Sequence, residues 1–196
     1  MRPLYRRLHP SRQLETLKGV GQDSAAVYLS FIGDPQRFPS HSQFRSWSGM
    51  IPGSRQSGAQ ESKGVRITQA GPGLIKKFAF LDAESARQWD PQLAALYYDQ
   101  MVQHGKHHTQ AVCAVATHLL DRVLTVLQAD RPYELRDGDG TPVTTARARE
   151  IILERYSVPK EVRQRNTQRA RRAQAEQRAE RKHERESRSR LVQAKA

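Results

Sequence analysis

Ser57, followed by Gly58 and set among Arg55, Lys63, Arg66, Lys76 and Lys77, is the side chain in this 196-residue sequence whose neighbours best suit covalent chemistry. A serine hydroxyl is a weak nucleophile until a base, a metal or nearby positive charge lowers the cost of forming alkoxide and of adding charge to the group it attacks. Those cations are the charges that a phosphodiester transition state would use. No histidine lies within the loop, and the nearest, His41, stands 16 positions earlier, so a serine-histidine-acid hydrolase is not supported. Ser54 and Ser62 share the segment. Local chemistry alone reads all three as ordinary loop serines, because loops are rich in serine and basic side chains there are usually just solvated.

Other constellations are weaker. His104, His107 and His108 have spacings of three and four, but Gly105 argues against a continuous helix that would gather the imidazoles, so no metal site is expected. Asp137-Gly138-Asp139-Gly140 starts like a calcium loop and lacks the closing glutamate at the twelfth position, where Ala148 stands; it reads as a turn. Glu61, Asp82, Glu84, Asp90 and Asp99 are scattered, and they read as caps and solvated faces.

The elements that must position these groups follow from composition and periodicity. A formal net charge of +13 predicts attraction to a polyanion, with nucleic acid the expected partner. The single cysteine, Cys113, excludes an intramolecular disulfide framework, fits a reducing cytoplasm, and reads as a small buried apolar residue. No apolar run of signal-peptide length follows the arginines of residues 1–9. The most apolar stretch, Ala111 to Leu127, is interrupted by His118, Asp121 and Arg122 and reads as a core helix.

Along the chain, Leu14, Leu17, Ala25, Ala26, Leu29 and Ile32 form two short helical patterns around Gly19-Val20-Gly21, which reads as a helix-hairpin-helix. Its glycines would let backbone amides approach a phosphate. The same Gly-Val-Gly also serves as a plain helix connector. Phe38, Phe44 and Trp47 supply aromatic bulk. Residues 49–73 read as a flexible or ligand-ordered loop with a short extended piece at Val65 and Ile67. Helices are expected from Gly71-Pro72 to about Trp89, from Gln92 to His104 behind the Asp90-Pro91 cap, from His107 to Gln128, and from Thr144 to Tyr156. Beyond Pro159, 13 lysines and arginines face five acids, and that segment reads as a solvated helix or a disordered arm.

The pattern G-[LM]-x-P-x4-S-G at residues 49–58, followed by Arg66-Ile67-Thr68-Gln69-Ala70-Gly71, resembles the C-terminal domain of the insertion-sequence 110/116/902 transposases, which recombine DNA under RNA guidance. Leu14-x-x-Leu17-x-Gly19-Val20-Gly21, Asp90-Pro91-Gln92-Leu93, Tyr97, Gly105-Lys106 and the run Ala111 to Leu127 stand where that family places its helix-hairpin-helix and later helices. The likeness covers about residues 13–135. It departs at Gly71-Pro72-Gly73-Leu74-Ile75-Lys76, where the family has Gly-Asn-x-x-Leu-Arg and a lysine cannot reproduce the bidentate arginine grip.

The resemblance implies that Ser57 attacks a DNA phosphodiester, with Ser54 a weak second choice. It implies that Arg55, Lys63, Arg66, Lys76 and Lys77 meet the phosphates and that Gly19, Val20 and Gly21 grip backbone. It also implies a ribonuclease-H-like domain whose Asp-Glu-Asp-Asp acids bind magnesium, a guide RNA, a homo-oligomer and a bacterial cytoplasmic setting. With Met1 to Arg12 ahead of the match, the acids are expected on another polypeptide or frame, and the chain is expected to be the C-terminal part of a truncated or split transposase. The fold expected is mainly α: a helix-hairpin-helix, a serine loop, a small helical bundle and a charged tail. The segments are 1–12 as an extension, 13–135 as the transposase-like domain, 136–158 as a turn and accessory helix, and 159–196 as the basic tail. A non-enzymatic nucleic-acid-binding protein and an inactive transposase remnant are the alternatives.

Overall fold

The apolar run that begins at Ala111 becomes the axis of a mainly helical chain. The computed structural model describes residues 2–51, 68 and 70–193, and within the last helix the side chains of residues 177 and 180–193 lie outside that description. In chain order the helices are α1 (Arg2–Leu8), α2 (Gln22–Ile32), α3 (His41–Ser48), α4 (Gly73–Ala86), α5 (Pro91–Val102), α6 (His108–Ala129), α7 (Thr145–Arg155) and α8 (Lys160–Gln193). Single 3-10 turns at Gln13–Thr16 and Pro35–Arg37 complete the set, and the described residues include no strand beyond an isolated bridge between Arg136 and Pro142.

Local chemistry sets several of these ends. Asp90 accepts the Leu93 amide at 3.1 Å with Pro91 in the first helical position, and Thr144 accepts the Arg147 amide at 3.3 Å, so α5 and α7 begin where capping side chains satisfy first-turn donors. Ser40 does the same for α3 through the Gln43 amide at 3.3 Å. Gly33, Gly49 and Gly105 close α2, α3 and the turn after α5 at positive φ.

α6 buries Val112, Val115, Leu119, Leu120, Val123 and Leu124 among α3, α4 and α5, and each such side chain contributes about 1.5–3 kcal/mol of transfer free energy. Its length and composition alone would pass for a membrane span, yet this apolar face is the protein core. Two ion pairs tie it down: Arg45 of α3 to Asp121, and Arg122 to Asp90 at the head of α5. Asp90 also accepts the Tyr133 hydroxyl at 2.8 Å, so one carboxylate joins α5, α6 and the loop after α6.

Several expectations change in detail. The first arm of the expected hairpin is one 3-10 turn: Leu14 and Leu17, three apart, both enter the core, and Leu17 is already extended before the glycines. Asp82 is not on a solvated face; it is 6% exposed and accepts the Tyr28 hydroxyl at 2.6 Å. Burial pushes its carboxyl up to about 6. Cys113 is half-buried, and that burial raises its thiol. Asp137 to Gly140 forms the expected turn, closed by Gly140 N–H to Asp137 O at 3.0 Å. The tail is helical from Lys160 to Gln193.

Candidate nucleic-acid interface

Ser57, Arg55, Lys63 and Arg66 lie outside the described residues, as do Ser54, Ser62 and the extended piece at Val65 and Ile67. The structure does describe the neck from which their segment departs. Gly49 (φ 72°) and Gly71 (φ 79°) lie where the outgoing and returning chain cross. A Cβ on Gly49 would stand 1.9 Å from the Ala70 carbonyl oxygen, and one on Gly71 would stand 2.5 Å from that of Trp47, so both positions require glycine. The Thr68 amide donates to Ile51 O at 3.1 Å, and the Thr68 hydroxyl approaches Gly49 O at 3.4 Å.

Lys76, on the first turn of α4, donates to the carbonyls of Thr68 at 3.2 Å and Ala70 at 2.8 Å. Thr117 of α6 donates to Met50 O at 3.1 Å, which fastens the outgoing strand to the central helix. The chain on either side of residues 52–67 is therefore held together and fixed to the core by backbone hydrogen bonds and a buried Met50. Lys76 thus has a structural role beside any ligand role. Lys77, one position on, is exposed.

The Gly19-Val20-Gly21 turn packs on the same helix. A Cβ on Gly19 would come within 2.3 Å of Asp82 O and 2.8 Å of Ala86 N, so glycine here permits close approach to α4. Val20 is buried in the core, and only backbone is left at that position to meet a ligand. Gly21 has open space beside it and caps α2, its amide donating to Ser24 Oγ at 3.1 Å. The first turn of α2 carries the partial positive charge of a helix N-terminus.

Sequence reasoning missed two neighbours of that turn. Arg2 and Arg6, four apart on α1, line one open cleft with Gly19, Gly21, Gln22, Asp23, Ser24 and Asp82. Arg2 grips Asp23 through Nε and Nη2 at 2.8 and 2.6 Å and holds its carboxyl below the usual range, while Arg6 donates to Gln22 Oε1 at 3.1 Å. The signal available was the i, i+4 arginine pair in Arg2-Pro3-Leu4-Tyr5-Arg6.

The aromatic bulk before the loop is core. Phe38, Phe44 and Trp47 pack with ring centroids 5.0 to 5.6 Å apart, and Arg37 covers Phe38 and Trp47 from outside. Two of the three histidines have partners: His108 Nδ1 lies 2.8 Å from the Tyr97 hydroxyl, and His104 Nε2 lies 3.1 Å from Asp99. Burial lowers the His107 and His108 imidazoles. Among the described residues no group of three or more His, Cys, Asp or Glu side chains could hold a metal ion.

At the other end of the molecule α8 is anchored by its first turns. Asn166, 3% exposed, donates to the carbonyls of Met101 at 2.7 Å and Lys106 at 3.1 Å, and Val162 packs against the core. Arg163, Arg165, Arg169, Arg171, Arg172 and Arg178 are exposed.

Comparison with known proteins bears on the neck and the glycine turn together. Residues 11–98 match the family described as Transposase IS116/IS110/IS902. Over 129 residues the chain is 33% identical to the "Insertion element IS110 uncharacterized 43.6 kDa protein" of Streptomyces coelicolor, covering 65% of this chain and 31% of that one. It is 27% identical over 123 residues to the pilin gene-inverting protein of Moraxella lacunata, covering 63% and 38%. It is 24% identical over 151 residues to the putative transposase y4qE of Sinorhizobium fredii, covering 77% and 36%. The chain spans about a third of the length of these relatives. The likeness to the IS116/IS110/IS902 transposases thus takes in the glycine turn, the neck and the helices that carry them.

Proposed function

We propose that this chain is a DNA-binding module of transposition or recombination whose 52–67 loop delivers Ser57 to a DNA phosphodiester. The observation that carries the reading is the glycine-closed neck: Gly49, Gly71 and Lys76, within residues 11–98 that match the transposase family, together with Thr117 of α6, fix the chain on either side of the serine segment. A nucleophile on a long loop needs such a rigid base if its oxygen is to meet phosphorus repeatedly in one geometry. The Moraxella relative, a pilin gene-inverting protein, agrees with a DNA-rearranging role.

In this reading Ser57 Oγ attacks phosphorus, the bond to one strand oxygen breaks, and the serine proton ends on the released strand hydroxyl. A phosphoserine ester then holds the strand until a hydroxyl of the exchange partner attacks it and restores the diester and the free serine. Arg55, Lys63 and Arg66 stabilise charge on the phosphoryl oxygens. Lys77 and the backbone of the Gly19-Val20-Gly21 turn hold the strand, and Lys76 does so from the neck. Magnesium does not fit the described residues of this chain; the acids of a ribonuclease-H-like domain, a guide RNA, a homo-oligomeric assembly and a bacterial cytoplasmic setting complete the same proposal.

The test supplies the acidic domain and guide RNA to the full chain with end-labelled DNA and looks for a covalent protein–DNA band. Wild type should form it and Ser57→Ala should not. A band of undiminished intensity in Ser57→Ala ends the assignment, whether or not Ser54→Ala then removes it. A binding module without chemistry is the second reading, favoured by the exposed arginines of α8, and it requires equal function of wild type and Ser57→Ala.

A further inference from the structure

We infer that the part of α8 beyond residue 170 is a one-sided phosphate rail that lies along the backbone of duplex DNA. This rests on the proposed function only for the choice of DNA; the rail itself rests on the register of α8. The helix runs from Lys160 to Gln193, about 51 Å at 1.5 Å per residue, and its docked part ends early. Val162 and Asn166 face the body, Ala170 is half-buried, and from Arg171 onward every described side chain is exposed.

At about 100° per residue, Arg171, Arg178, Arg181, Lys182, Arg185 and Arg188 fall on one stripe of the helical register. Glu176, Glu180 and Glu184, spaced by four, form a separate row, its centre about 140° away around the axis. Glu186 falls about 100° from the middle of the basic stripe. Arg172 and Arg190 share the acidic side, where Arg172 precedes Glu176 by four and Arg190 follows Glu186 by four. On the stripe, Lys182 and Arg188 also stand four from Glu186 and Glu184 and Arg181 stands three from Glu184, which leaves Arg171, Arg178 and Arg185, seven apart, with no acid three or four positions away. A helix built only for solubility would mix the signs around its circumference.

The composition decides what meets the stripe. Residues 171–190 contain no large apolar side chain, so the arm has neither the wide apolar face of a membrane-surface helix nor the apolar heptad seam of a coiled coil. What remains is a ligand recognised by charge alone over length, which is a polyphosphate backbone. From Arg171 to Gln193 the arm spans about 33 Å, close to one turn of B-form duplex.

The experiment measures affinity of the full chain for a duplex DNA of random sequence across a salt series. One variant carries Arg171→Gln, Arg178→Gln and Arg185→Gln on the stripe; a second carries Arg165→Gln, Arg172→Gln and Arg190→Gln on the compensated side. Both lose the same charge, and glutamine keeps helix propensity, which circular dichroism checks. The stripe variant should lower the slope of log affinity against log salt by about 2.7, the value for three lost phosphate contacts, and the second variant by less than about 1. Equal slopes overturn the rail. A larger loss on duplex RNA than on duplex DNA overturns the choice of DNA, and a loss seen only with phosphatidylserine vesicles overturns the phosphodiester partner. Ser57→Ala should leave the slope unchanged, so failure of the serine chemistry and failure of the rail are read separately.

Discussion

The body around α6 and the arm beyond residue 170 of α8 are both helical, and they are helical for different reasons. α6 carries a continuous apolar face that α3, α4 and α5 cover, so its structure is fixed by packing. The distal arm has its described side chains in solvent and draws on the helix propensity of Arg, Ala, Gln and Glu. Specification by packing gives a unique geometry that tolerates little change. Specification by propensity and charge leaves a surface whose residues are free to be chosen for a partner.

That contrast is sharpest in core truncation. Phe44→Ala removes a fully buried ring from the cluster with Phe38 and Trp47 and should cost about 3–5 kcal/mol in denaturant unfolding. A cost below about 1 kcal/mol would mean that α3 is not packed as described.

Asp82 gives the next effect through pH. Its folded carboxyl sits at about 6 because burial disfavours the charge, above the unfolded value near 3.9, so stability is greatest below the unfolded value and falls as pH rises through the folded one. The loss should reach roughly 3 kcal/mol and be complete a little above pH 6. Asp82→Asn keeps an acceptor for Tyr28 and should gain on wild type by that amount between pH 4 and pH 7 in chemical unfolding. A constant difference across that window would contradict the buried carboxyl.

At the joint between the two regions, Asn166→Ala leaves the carbonyls of Met101 and Lys106 without their amide donor. It should cost about 1–3 kcal/mol, with faster amide exchange in the first turns of α8. The smallest effect belongs to the arm. Arg178→Gln should change unfolding free energy by less than about 0.5 kcal/mol while still weakening DNA binding, and a larger stability change would show that the arm packs on something.

Much of the helical framework was legible in sequence because its signals are local. Asp90-Pro91 and Thr144 announce α5 and α7 by capping chemistry, and the three-and-four spacing of Val112 to Leu127 announces α6. α3 was missed because His41-Ser42-Gln43-Phe44 to Ser48 has weak propensity and buries only Phe44 and Ser48; Ser40 and Gly49 were its visible ends. α1 was missed because it is mostly arginine and exposed leucine, with Tyr5 its single buried residue. The neck was illegible for another reason: Gly49 meets Ala70, and Gly71 meets Trp47, contacts across more than 20 residues that no periodicity encodes. The burial of Asp82 depends likewise on Tyr28, 54 positions away. Of the candidate site, Gly19 packs against Asp82 and Ala86 in the second half of α4, Lys76 and Lys77 stand in its first turns, and Ser57 with Arg55, Lys63 and Arg66 falls outside the described residues.

Asn166 gives the anchorage of α8 a mechanical meaning. About 40 Å of helix continue past a single buried amide that clamps the end of α5 and the turn before α6. Load applied near Leu191 acts on a long lever with a short fulcrum, so torque at the tip reaches the Met101 and Lys106 carbonyls first. A strand of nucleic acid held along the arm would therefore pull on the junction between two core helices, and tension in the substrate becomes strain at the base.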